Sequence, residues 1–153
     1  MKEIKAPATF SDAPAPKIFL GGSIEMGAAE NWQERLRDLL SAIPGTILNP
    51  RRNDWDSSWK QDITNGQFCE QVEWELKAQE TSDLNIYYFS PGTQSPITLL
   101  ELGLFAKSRS TIVCCPEGFW RKGNIDIVSR RYAIPQADNF VALTSMLLES
   151  KCF

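Results

Sequence analysis

The sequence predicts an α/β domain with a central parallel sheet of about five strands and helices on both faces. Three observations carry this expectation. Short, continuous apolar runs (KIFLGG, GTILNP, DLNIYYF and STIVCCP) have the length and the β-branched or aromatic content of strands buried on both faces. The stretches between them repeat their apolar residues at helical spacing, so that strands and helices alternate as parallel crossovers require. The length of 153 residues, with 42% hydrophobic and 23% charged side chains, suits one compact domain.

Residues 1–16, MKEIKAPATFSDAPAP, are rich in Ala and Pro and lack an apolar period, which predicts a flexible arm before a single domain spanning residues 17–153. KIFLGG reads as a buried strand ending in glycines. AAENWQERLRDLLSAI then gathers Trp32, Leu36, Leu39, Leu40 and Ile43 on one side of a helix. GTILNP is a second strand, and RRNDWDSSWKQDITNG, full of turn formers and without a period, is a long loop of the kind that carries function. QFCEQVEWELKAQE is helical and DLNIYYF is a strand. In SPITLLELGLFAKS, Ser95 is a natural N-cap and Pro96 suits the first helical position. STIVCCP is another strand. NIDIVSRRY and NFVALTSMLLESK are helices on either side of a short strand near Ala133 to Gln136. The outcome is the three-layer arrangement of Rossmann-like or flavodoxin-like domains, with a ligand crevice at the carboxyl ends of the strands.

Composition excludes several classes of function. The net charge is −3 and basic residues gather into nothing denser than short pairs such as Arg130-Arg131, so no nucleic-acid partner is expected. No run of about 18 apolar residues exists to span a membrane, and the N-terminus has no signal-type apolar core. Four cysteines, Cys69, Cys114, Cys115 and Cys152, form no C-x-x-C pair and suit reduced thiols in a cytoplasmic setting. The chain has no histidine. Ser-His-Asp and Cys-His catalysis are therefore excluded within one chain, a zinc site would need unusual ligands, and neither metal nor cofactor is expected. Proton chemistry falls to carboxylates, lysines or tyrosines.

Two glutamates stand where a core helix would carry apolar residues. At ~100° per residue, Ile97, Leu100, Leu104 and Phe105 define an apolar face, and Glu101 falls roughly 40° from Ile97, within it. On the preceding helix Phe68, Val72 and Leu76 group together, with Glu75 about 20° from Phe68. Burying a carboxylate costs several kcal/mol unless it is paired, hydrogen-bonded or protonated, so two inward carboxylates suggest a site. The turn of Gly21, Gly22 and Ser23 joins a strand to a helix, where backbone N–H groups favour an anion. Glu25 in the same turn argues against simple phosphate binding and suits an unphosphorylated nucleoside. Asn53, Asp54, Trp55, Asp56 and Trp59 of the long loop can stack a flat heterocycle and bond its edges, or cover one end of the sheet. Asn124 and Asp126 stand at a helix start, as binding groups or as a cap and a first-turn acid.

With these residues in view, the sequence resembles the nucleoside 2-deoxyribosyltransferase family and its relatives, the 2'-deoxynucleoside 5'-phosphate N-hydrolases. The resemblance runs from Lys17 to about Gln136 and is carried by IFLGGSI, by Glu75 eight residues before Asp83, by LLELG with Glu101, and by GNIDIVSRRY. It implies a retaining transfer in which Glu101 attacks C1' of a 2'-deoxyribosyl group, the base departs with a proton from Glu75, and another base or water takes the sugar. It also implies that Asn124 reaches a ligand in a neighbouring subunit, hence a homo-oligomer with shared active sites acting on a small nucleoside or deoxynucleotide. The sequence departs from the family where a base-contacting acid is absent near Ser95, where Glu replaces Asp at position 75, and where Glu25 and Met26 occupy a turn that is basic or glycine-rich in the phosphate branch. The competing readings are a nucleoside or nucleotide sensor without chemistry and a ribosyl or NAD glycohydrolase.

Overall fold

The computed structural model describes residues 1–24, 29–56, 58–108 and 110–149; Glu25, Met26 and Cys152 lie outside the described residues. The strands are β1 (Lys2–Lys5), β2 (Lys17–Gly22), β3 (Thr46–Asn49), β4 (Leu84–Tyr88), β5 (Thr111–Cys114) and β6 (Gln136–Ala137). They form one six-stranded sheet in the order β1-β3-β2-β4-β5-β6, every neighbouring pair parallel. The helices are α1 (Trp32–Leu39), α2 (Gly66–Thr81), α3 (Pro96–Phe105), α4 (Lys122–Tyr132) and α5 (Phe140–Glu149).

Alternation along each strand splits the core in two. Ile18, Leu20, Ile47, Ile86, Tyr88 and Ile112 face Trp32, Leu36 and Leu40 of the α1 region and Leu143 and Leu147 of α5. On the opposite face Phe19 and Leu48 meet Trp74 and Ala78 of α2, while Tyr87, Phe89 and Val113 meet Leu102 of α3 and Ile125 of α4. The architecture is thus a three-layer α/β fold of the flavodoxin-like kind. Each fully buried aliphatic or aromatic side chain contributes about 1.5–3 kcal/mol, which is why strands as short as β3 and β5 are held. Cys114 at the end of β5 and Cys115 just after it fill opposite faces of the sheet, and burial pushes both thiols up to about 12. Among the described residues no helix is long and apolar enough to cross a membrane.

Four of the five strands expected from the sequence are present with ends shifted by one or two residues, the short one expected near Ala133 to Gln136 lies at Gln136–Ala137 because Ala133 caps α4, and a sixth is added. Its source is the segment read as a flexible arm: Lys2–Lys5 pair with Thr46–Asn49 as an edge strand. Beyond it Ala6 and Phe10 are buried, Phe10 meets Trp74 edge-on at 5.2 Å, and Trp74 Nε1 donates to the Ala8 carbonyl at 2.8 Å. A strand exposed at one edge needs no apolar period, so these tertiary contacts leave no trace in the hydropathy pattern.

Gly22 closes β2 with φ +155°, and a Cβ there would lie 2.5 Å from the Tyr88 carbonyl oxygen and 2.8 Å from the ring of Trp32, which stacks on Tyr88. Gly22→Ala is expected to destabilise the fold by about 2 kcal/mol or more in urea denaturation. An unchanged midpoint would show that β2 and β4 are not held this closely.

Candidate active site

From β2 the chain moves one way to β3, then passes back beyond β2 to β4, β5 and β6. Right-handed crossovers place α1 on one face and α2, α3 and α4 on the other, so the loops diverge where the direction reverses and a crevice opens at the carboxyl ends of β2 and β4. A cleft of about 580 Å³ lies there, lined by Gly21 and Gly22 at the end of β2 and Ser23 after it, by Pro50, Arg51, Arg52, Asn53 and Trp55 after β3, by Phe68, Gln71 and Glu75 of α2, and by Ser95, Ile97, Thr98 and Glu101 at α3.

A cluster of hydroxyls joins two of these walls. Ser23 Oγ accepts from the Ser90 amide at 2.9 Å and lies 2.6 Å from Ser95 Oγ and 2.8 Å from Thr93 Oγ1. Ser95 holds the N-cap position with φ 46°, but its side chain makes no capping hydrogen bond, being engaged in this cluster. The start of α3 is thereby tied to the end of β2.

Glu101 is 7% exposed, and the helix face it shares is that of Thr98, Leu102 and Phe105. The expected apolar face is not the buried one: Ile97, Leu100 and Leu104 are 59%, 60% and 55% exposed. Because α3 is apolar nearly all round, hydropathy could not choose between its stripes. On α2 the buried residues are Gln71, Trp74, Ala78 and Gln79, whereas Phe68, Val72 and Leu76 are only partly covered. The inner stripe of α2 is therefore Gln71, Glu75 and Gln79 at i, i+4 and i+8.

These glutamines serve the carboxylates. Gln79 Nε2 donates to Glu101 Oε1 at 2.8 Å, and its own Oε1 accepts from the Tyr87 hydroxyl at 2.6 Å, which fixes the orientation of the amide. Gln71 Nε2 donates to Glu75 Oε1 at 2.7 Å and to the Pro50 carbonyl at 2.9 Å. Each carboxyl thus has Oε1 tied and Oε2 without a hydrogen bond among the described residues. Burial raises the pKa of both. The charge of Glu75 raises Glu101 further, and the glutamine donors oppose the shift at each. The pair resists carrying two charges, so a proton is held between the two carboxyls to higher pH than on an isolated one.

Of the residues singled out in the sequence, Gly21, Gly22, Ser23, Asn53, Trp55, Glu75 and Glu101 line this cleft. Asp54 does not; it is exposed and grips Arg52 at 2.9 and 3.0 Å, which lowers its pKa. Trp59 also lies outside the lining and carries the Arg52 guanidinium 5.0 Å from its ring. Asn124 is exposed on α4, and Asp126 pairs there with Lys122 at 3.0 Å; neither lines the cleft. Sequence reasoning missed Arg51, Arg52, Gln71 and Gln79. For the glutamines the available signal was the Gln-x3-Glu-x3-Gln spacing around Glu75. Among the described residues no cluster of three or more Cys, Asp or Glu side chains could hold a metal ion.

Residues 15–119, over half of the chain, match the profile of the family described as nucleoside 2-deoxyribosyltransferase like. The matched stretch contains Glu75 and Glu101 and ends before Asn124. No curated protein sequence matches the chain.

The two raised carboxyl groups determine the sign of the pH dependence of stability. Above the ordinary value of 4.5 the folded chain holds protons that the unfolded chain has released, so stability is fully present below that value and is lost as pH rises through the folded values. The chain has no histidine to titrate in the same window. Unfolding free energy from urea titrations is expected to fall by at least about 1 kcal/mol between roughly pH 5 and 8, and Glu101→Gln to flatten the slope. A rise over that range would refute the burial of the pair.

Proposed function

This chain belongs to the nucleoside 2-deoxyribosyltransferase-like family, and we propose that it breaks the N-glycosidic bond of a 2'-deoxynucleoside and passes the deoxyribosyl group to another base or to water. The observation that carries the reading is the pair of carboxyls lining one cleft, Glu101 buried and Glu75 partly so, each with one oxygen held by a glutamine and the other unbonded. Burial and the charge of Glu75 raise Glu101 the more of the two, so the reaction needs the pair's shared proton moved onto Glu75 as the substrate docks; Glu101, then ionised and held by Gln79, attacks C1' through Oε2. The C–N bond breaks, its electron pair goes to the base, and the proton on Glu75 follows it, so that the base leaves neutral. Glu75, now a carboxylate, takes the proton from the incoming base or water as this attacks C1' and frees Glu101. Two displacements at one carbon retain its configuration. Gly21 and Gly22 allow close approach of the ligand to the end of β2, Ser23 and Asn53 offer hydrogen bonds, and Trp55 offers a flat apolar wall.

Chromatography of base release from a panel of deoxynucleosides, ribonucleosides and their monophosphates, with and without an acceptor base, tests this. Glu101→Gln is expected to lose at least about 10³-fold in rate, and Glu75→Gln about 10²-fold, with the larger loss on bases that leave poorly. Mass spectrometry of the quenched wild type should find one deoxyribosyl group added to Glu101. Turnover that survives Glu101→Gln would overturn the assignment.

We also propose that the chain works in the cytoplasm as a homo-oligomer with shared sites. Ile97, Leu100 and Leu104 form an exposed aliphatic stripe on α3 that begins at the cleft wall, and a second copy covering it would border the site. Asn124, exposed on α4 and away from its own cleft, remains available to a neighbouring copy's ligand, and Asp126 beside it is held by Lys122 and Gln136. Sedimentation is expected to show an assembly that Leu100→Glu dissociates. A monomer at micromolar concentration would remove the proposal.

A further inference from the structure

One polar atom on the cleft wall is unaccounted for by this chemistry. Gln71 is 4% exposed, and its Oε1 is buried without a hydrogen-bond partner. The amide cannot be turned to repair this, because its Nε2 already donates to the Pro50 carbonyl and to Glu75 Oε1; rotation would set Oε1 against the Pro50 oxygen. Leaving a buried amide oxygen unpaired costs about 1–3 kcal/mol, a cost a ligand bearing an N–H at this place would remove. The neighbouring group on the same wall is Glu75, whose Oε2 is unbonded. The indole of Trp55, whose Nε1 is likewise buried without a partner, belongs to the same lining.

With Glu75 protonated, the two side chains offer one donor and one acceptor next to each other. The matching partner is a nucleobase edge with an acceptor ring nitrogen beside an exocyclic amine. Adenine has such an edge in N7 and the N6 amine, whereas guanine carries the O6 acceptor at the same place, and a 6-oxopurine would point that oxygen at Gln71 Oε1. We propose that Gln71 is a specificity-determining residue that selects amino-substituted bases, 6-aminopurines above 6-oxopurines, by accepting from the exocyclic amine while Glu75 engages the adjacent ring nitrogen. The inference rests on the glycosyl-transfer reading for the role of Glu75, and it adds the class of base.

The test uses the whole protein and two readouts. Calorimetric titration with free adenine and free hypoxanthine measures recognition without any bond cleavage, and base release from deoxyadenosine and deoxyinosine measures it in turnover. Wild type is expected to prefer the amino base by at least about tenfold in both, and Gln71→Met, similar in length but without an acceptor, to bring the ratio to within about threefold of one. A wild-type ratio near one, a preference unchanged in Gln71→Met, or binding of neither base overturns the inference, and the wild-type ratio decides even if the variant does not fold. Selective binding without cleavage would leave Gln71 in its role and remove the reaction, while equal cleavage of both nucleosides would do the reverse.

Discussion

A carboxylate can be buried in a helix interface only if something meets its charge, and in this protein that group is the amide of Gln79. Its Nε2 donates to Glu101, its Oε1 is held by the Tyr87 hydroxyl, and Asn85 Nδ2 donates to its backbone carbonyl. One side chain on α2 thus links α3 to the central strand β4. Burial makes the phenol of Tyr87 reluctant to ionise, and the charge of Glu101 reinforces this, so that it remains a donor and the amide keeps one orientation. Without this chain of partners the inward turn of Glu101 would cost several kcal/mol, and α3 would gain by rotating one of its apolar stripes into its place.

Topology supplies the second constraint. The chain leaves β2 for α1 on one face and leaves its neighbour β4 for α3 on the other, so the loops after these two strands part and leave room for the cleft. The hydroxyl cluster of Ser23, Thr93 and Ser95 then ties the start of α3 to the end of β2, so that Glu101 sits across the cleft from the glycine turn at a distance fixed by packed elements rather than by a loop. The other wall is a true loop, and it is braced by charge: Arg52 joins Asp54 and Glu70 and lies over the ring of Trp59. The packed wall fixes the positions of the carboxyls, while the loop gives the cleft its breadth.

The polar stripe of α2 explains how two acids share one cleft. Gln71 and Gln79 lie one turn to either side of Glu75, so the same helix brings the acid, its own amide partner and the amide partner of the opposing acid. An apolar helix would have packed as well against Phe19 and Leu48, but it could not have supplied amide donors to two neighbouring carboxyls.

The order of strands and helices, the parallel sheet and the presence of two inward glutamates were legible in the sequence, because burial on both faces forces continuous apolar strands and because a carboxylate within a helical period stands out. The edge strand Lys2–Lys5 was not legible, since pairing along one side of a sheet asks for backbone groups and not for a hydropathy pattern. Nor was the buried face of α3, where Ile97, Leu100 and Leu104 look like a core stripe and are exposed while Thr98 and Glu101 are buried. Asn124 and Asp126 shared a segment with apparent site residues, yet α4 carries them away from the cleft. The sequence by itself determined which residue types alternate and which acids are available, because those follow from local period and composition. Only the tertiary structure decided which acid meets which amide and which stripe faces the sheet, because that depends on how helices distant in the chain dock on the same strand.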